Sequence, residues 1–72
     1  MGMELARSIG QNLKDARKAK GLTQKEIAAE LLMTQQQYSR FENGVYELNY
    51  EQIQKICRIL EITPNDLFEN EL

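Results

Sequence analysis

Gln35, Gln36 and Arg40 are the residues best equipped for directed chemistry in this sequence, and that chemistry is hydrogen bonding rather than catalysis. A glutamine amide carries donor and acceptor on one plane, so it can pair at two points with adenine N6 and N7. A guanidinium does the same with guanine O6 and N7. On a helix, positions 36 and 40 share a face and lie about 6 Å apart along the axis, roughly two base-pair steps of about 3.4 Å. Gln37 and Ser39 flank that face and are placed for further contacts to bases, thymine methyls or phosphates. The major groove of duplex DNA, about 12 Å wide, admits one such helix.

Such a helix must be held by others. Between residues 35 and 43 the apolar positions reduce to Tyr38 and Phe41, three apart, so one narrow side packs and the remainder faces out. Just upstream, Ile27, Ala28 and Leu31 form one stripe at about 3.6 residues per turn. Thr23 followed by Glu26 is a capping box that starts this helix near Gln24, and Thr34 caps the next. The break therefore falls at Leu32-Met33-Thr34, the short turn of a helix-turn-helix. Asn43-Gly44 closes the second helix, because glycine adopts the left-handed C-terminal conformation freely.

The flanking chain supplies the remaining elements. A first helix is predicted from Ser8, as its cap, to about Lys20, with Ile9, Leu13 and Ala16 buried and Gly21 as the stop; residues 1–8 are expected to be loosely held. Arg17, four residues after Leu13, sits at the edge of the core face and needs a carboxylate partner or a route out to water. Beyond Gly44, Asn49 and Gln52 make a second capping box ahead of Ile53, Ile56, Cys57 and Leu60. Thr63-Pro64-Asn65-Asp66 then starts a short helix to about Phe68. Leu67 and Phe68 cannot both point inward from one turn, so one packs and the other faces a partner. With no strand pattern, repeat or linker, the expected fold is all-α: a compact five-helix orthogonal bundle over residues 9–68, between the flexible segment 1–8 and the tail 69–72.

Composition removes several function classes. Seventy-two residues make one domain with a small core. No histidine and a single cysteine leave no Cys/His metal site, internal disulfide or histidine-based triad, so no metal, cofactor or enzymatic role is expected. Cys57 lies on an apolar stripe and reads as a small core hydrophobe. No apolar run approaches the about 18 residues of a membrane span, and no signal-peptide pattern is present, so the expected location is the cytoplasm. The net charge of −2 conceals an uneven distribution: residues 1–40 hold seven bases against four acids, whereas residues 41–72 hold two against seven. The half containing Gln35, Gln36 and Arg40 is the basic one, as steering toward phosphate requires.

Three segments, RKAKGLTQKEIA (17–28), TQQQYSRFENG (34–44) and ITPNDLF (62–68), in this order and spacing, resemble the Cro/C1-type helix-turn-helix domain of phage repressors and small bacterial regulators. The likeness covers about sixty of the 72 residues. It implies sequence-specific binding of double-stranded DNA as a transcriptional regulator, a repressor, with the helix 35–43 in the major groove and Gln35, Gln36 and Arg40 touching bases. It also implies Glu42 as the buried partner of Arg17, and Gln24 as a phosphate contact; Asn43 at the end of that helix, and Asn49 at the start of the fourth, are the next phosphate candidates from their positions alone. Two departures stand out. The family usually has glycine where Leu32 stands, and its basic loop after Gly44 is here Val-Tyr-Glu-Leu, which leaves the Tyr46 hydroxyl as the replacement for a charged phosphate ligand.

One small domain with few phosphate contacts binds DNA weakly at physiological salt, so a homodimer on a pseudo-palindromic operator is expected. Leu48, Ile59, Leu67 and Leu72 are its candidate interface residues. The alternative use of the same fold is as a protein-interaction module, such as an antitoxin or adaptor, for which the acidic C-terminal half would suit a basic partner.

Overall fold

The computed structural model describes residues 3–69, so the expectation for Leu72 lies outside the described residues. Five helices follow one another: α1 (Met3–Ala19), α2 (Gln24–Glu30), α3 (Gln35–Glu42), α4 (Tyr50–Leu60) and α5 (Pro64–Phe68). There is no strand among the described residues. The domain measures 30 × 22 × 20 Å, with α1 packed on α3 and α5, α2 on α3, and α4 on α5.

Four of the five helices begin at capping boxes, formed by Thr23 with Glu26, Thr34 with Gln37, Asn49 with Gln52, and Thr63 with Asp66. In each, the cap oxygen accepts an amide proton three residues on and the side chain there accepts the cap's own amide, so two orphan donors are satisfied locally. α1 differs from its sequence expectation. It starts at Met3 and not at Ser8, and Ala6 is buried, so residues 3–8 are a helical turn and a half with an inner face rather than a loose segment.

Leu13, Ile27, Tyr38, Ile56 and Leu67 are the largest fully buried side chains and bring one residue from each helix to the centre. This settles the competition at α5. Leu67 is fully buried and Phe68 is exposed, so Leu67 is corrected from a surface contact to core. The physical reason lies in α1, where the Asn12 side-chain amide donates to the carbonyls of Leu67 (2.8 Å) and Glu69 (3.0 Å) and fixes which side of α5 turns inward. Cys57 is buried in the same cluster; burial first, then the nearby Asp66 charge, push its thiol pKa up, which keeps it an unreactive hydrophobe.

The turn between α2 and α3 closes by two reverse hydrogen bonds, Met33 N–H to the Ala28 carbonyl (3.0 Å) and Leu32 N–H to that of Ala29 (3.1 Å). That pairing demands a left-handed residue, and Leu32 supplies it at φ +59° with its side chain 87% exposed. A left-handed non-glycine residue costs about 1–2 kcal/mol, and glycine's extra freedom in the unfolded chain returns about 0.4–1 of it. Leu32→Gly is therefore expected to stabilise the domain by roughly 0.5–1 kcal/mol, read as a rise in the urea midpoint at unchanged slope. A lower midpoint would show that Leu32 makes contacts worth more than its strain.

Candidate nucleic-acid interface

α3 is shaped by what its two ends require. Its inner face consists of Tyr38, Phe41 and Glu42, all buried, and its outer face presents Gln35, Gln36 and Arg40 to solvent. At the C-terminal end the Arg17 guanidinium from α1 meets Glu42 in a two-pronged pair, Nε to Oε2 at 2.6 Å and Nη2 to Oε1 at 3.2 Å. Arg17 and Glu42 are 7% and 6% exposed, and the remaining Arg17 nitrogen donates to the Leu22 carbonyl at 2.8 Å. The partner implied for Arg17 is thus the observed one. Burial works to raise the Glu42 pKa, but the hydrogen bonds from Arg17 and Gln24 and the adjacent Tyr38 hydroxyl outweigh it and hold the carboxyl below its ordinary value. Arg17 is raised, chiefly by its hydrogen bond to Glu42. The buried Tyr38 hydroxyl lies beside the pair, and burial first, then Glu42, push its pKa well above that of an ordinary phenol.

The pair reaches the surface through Gln24. Its amide nitrogen donates to Glu42 Oε1 at 2.9 Å, and its oxygen accepts from the Gln35 amide at 3.5 Å. An amide nitrogen bonded on one hydrogen keeps the other free, so Gln24 retains one outward donor, and Gln35 retains both an acceptor and a donor. A purely surface reading of Gln24 would have missed this: it is half-buried, with one side committed to the core.

Gln24, Gln35, Gln36, Ser39 and Arg40 together line one open, polar depression of about 590 Å³. Five of the nine polar residues singled out for bases or phosphates therefore converge on a single surface between α2 and α3. Asn43 joins it from the end of α3, donating to the Ser39 hydroxyl at 3.3 Å. The other three have prior engagements. Gln37's oxygen accepts the Thr34 amide at 2.9 Å to complete the cap, leaving its nitrogen free; the Thr-x-x-Gln spacing carried that signal in the sequence. Asn49 caps α4 through its side-chain oxygen, which accepts from Gln52 N at 2.8 Å, and likewise keeps its amide nitrogen for another ligand. Tyr46 lies with its ring 5.5 Å from the Arg40 guanidinium carbon.

An array of neutral amides and one guanidinium, lining one open depression between α2 and α3, suits a planar partner with alternating donors and acceptors. Among the described residues there is no cluster of His, Cys, Asp and Glu able to hold a metal ion, and no helix long and apolar enough to cross a membrane. The two other candidate interface residues, Leu48 and Ile59, are half-buried and packed against the core edge.

Comparison with known proteins agrees with this architecture. Residues 13–67 match the helix-turn-helix family. The chain is 36% identical over 63 residues to an uncharacterized HTH-type transcriptional regulator, YqaE, of Bacillus subtilis (strain 168); the match covers 88% of this chain and 54% of that protein, so the chain spans about half its length. The restriction-modification controller protein C.AhdI from Aeromonas hydrophila superposes with a TM-score of 0.83 at 29% identity, covering 92% of this chain and 96% of that one. The clp gene regulator ClgR from Corynebacterium glutamicum does so with a TM-score of 0.82 at 27% identity, covering 88% and 67% of the two chains. With its matched residues, its α2-turn-α3 unit and the buried pair that locks α3 to α1, the chain belongs to the Cro/C1-type helix-turn-helix family of regulators.

Proposed function

We propose that this chain binds double-stranded DNA sequence-specifically and regulates transcription, as a repressor acting in the cytoplasm, by placing α3 in the major groove. The observation that carries this reading is the convergence of Gln24, Gln35, Gln36, Ser39 and Arg40 on one exposed surface whose groups match base edges. Gln35, Gln36 and Arg40 read bases, with Gln37 and Ser39 adding contacts. Gln24, Asn43 and Asn49 hold the phosphates and so fix the register of α3. The relatives named as an HTH-type transcriptional regulator and as a clp gene regulator support the same role. Two copies on a pseudo-palindrome, with half-sites about 10 base pairs apart, would supply the affinity one domain lacks. Leu48, which shares an apolar depression with exposed Phe68, and Ile59 are the proposed contacts between the copies.

Selection of bound sequences from random duplex DNA tests this directly. A consensus is expected, and Gln36→Ala or Arg40→Ala should relax it at one or two adjacent positions, with about 1–3 kcal/mol of discrimination lost at each. Gln24→Ala should instead weaken binding to all sequences, relax the preference at the Gln35 position whose amide it holds, and leave the salt dependence unchanged because no charge is removed. No enrichment even at low salt would favour the protein-interaction role over DNA.

A further inference from the structure

We infer that Tyr46 is a positioning residue for Arg40: its ring, rather than its hydroxyl, sets the direction of the guanidinium and thereby the base preference at the position Arg40 reads. This rests on the DNA-reading role of α3 and adds a residue outside that helix to it. The Arg40 guanidinium carbon stands 5.5 Å from the centre of the Tyr46 ring, within the range of a cation over an aromatic face. The ring is itself braced. It meets Phe41 edge-on, with centroids 6.3 Å apart and planes at 65°, and Phe41 is buried in the core. The backbone adds a second brace, because the Arg40 carbonyl accepts both Val45 N–H (2.9 Å) and Tyr46 N–H (3.3 Å), folding the loop after Gly44 back over the end of α3.

The consequence concerns rotamer freedom. Arg40 is exposed and has no carboxylate partner among the described ion pairs, so without the ring its long side chain would sample many directions. A planar cation lying over a ring that is fixed at two points is limited to few, and two-point pairing with guanine O6 and N7 needs its fork to arrive already oriented. The ring adds no phosphate contact; it steadies a base contact. The half-exposed Tyr46 hydroxyl is not needed for this.

The test compares Tyr46→Phe with Tyr46→Leu in the intact chain, by sequence selection and by binding to the selected duplex across a salt series. Tyr46→Phe should keep the parent consensus and bind within about two-fold, since the ring remains. Tyr46→Leu should lose about two- to five-fold of the preference at the Arg40 position alone, leaving the Gln35 and Gln36 positions unchanged. In the free protein, the side-chain proton resonances of Arg40 should show ring-current shifts in the parent and in Tyr46→Phe that vanish in Tyr46→Leu. Uniform weakening by Tyr46→Phe would overturn the inference in favour of a hydroxyl–phosphate contact. An unchanged Arg40-position preference in Tyr46→Leu, or one that sharpens, would also overturn it. Absence of any consensus in the parent would instead defeat the DNA-reading role, while the Arg40 resonances would still report whether the ring holds the guanidinium.

Discussion

Glu42→Ala is expected to destabilise the domain by about 3–5 kcal/mol, because it leaves the Arg17 guanidinium buried with no counter-charge. Arg17 cannot relieve this by losing its proton, because a guanidinium stays protonated in proteins. Its one other hydrogen-bond acceptor among the described residues is the Leu22 carbonyl, so it must drag its end of α1 toward water. A 72-residue domain holds roughly 4–11 kcal/mol in total, so the loss takes a large part of the whole. The melting temperature should fall by at least about 12 °C. A Glu42→Ala melt within about 1 kcal/mol of the parent would mean that the pair is solvated in solution, as an exposed ion pair is. The same pair gives the stability a pH dependence of definite sign. Since the fold holds the Glu42 pKa below its unfolded value of about 4.3, the contribution is fully present above that pH and is lost as pH falls through the folded-state pKa. Glu42→Gln should accordingly show a shallower loss of stability on acidification than the parent.

The second large effect is expected at a residue with no side chain. Gly10 lies inside α1, where alanine would normally stabilise a helix by about 1 kcal/mol. Here the sign reverses. A β-carbon at position 10 would stand 2.4 Å from the Glu42 carbonyl oxygen and 2.5 Å from that of Phe41, both backbone atoms of the last turn of α3. No rotamer change can relieve such a clash, so α1 and α3 must separate, which costs about 3 kcal/mol at the upper end of overpacking effects. Gly10→Ala should therefore lose about 2 kcal/mol net and lower the melting temperature by on the order of 10 °C. Separation of the helices also strains the Arg17–Glu42 pair beside the contact, and the exposed face of α3 tilts with it. DNA binding measured well below the new melting point should weaken as well. A variant that melts at or above the parent temperature would show that the two helices do not approach this closely.

Both effects arise where α1 grips the end of α3, away from the surface that carries Gln35, Gln36 and Arg40. The same carboxylate that neutralises Arg17 also holds Gln24, and Gln24 holds Gln35, so the reading face is set by hydrogen bonds that begin in the core. This explains why a helix with only eight residues and a mostly polar surface is held in one orientation.

Everything governed by spacing within a few residues was legible in the order of residues. Threonine or asparagine followed three residues later by Glu, Gln or Asp marked helix starts, and Gly21 and Gly44 marked stops, because caps and left-handed turns are closed by neighbours in the chain. The stripe Ile53, Ile56, Cys57, Leu60 placed α4, and the side opposite Tyr38 and Phe41 identified the face of α3 that shows Gln35, Gln36 and Arg40. Tertiary structure alone decided the rest. That Leu67 and not Phe68 enters the core depends on Asn12, 55 residues away, and the early start of α1 on whether Ala6 finds a surface to cover. The contact at Gly10, the tie from Gln24 to Glu42 and the ring of Tyr46 against Arg40 leave no periodic trace, because each depends on how two elements happen to meet. Local hydrogen bonding writes itself into residue spacing; the distance between packed helices does not.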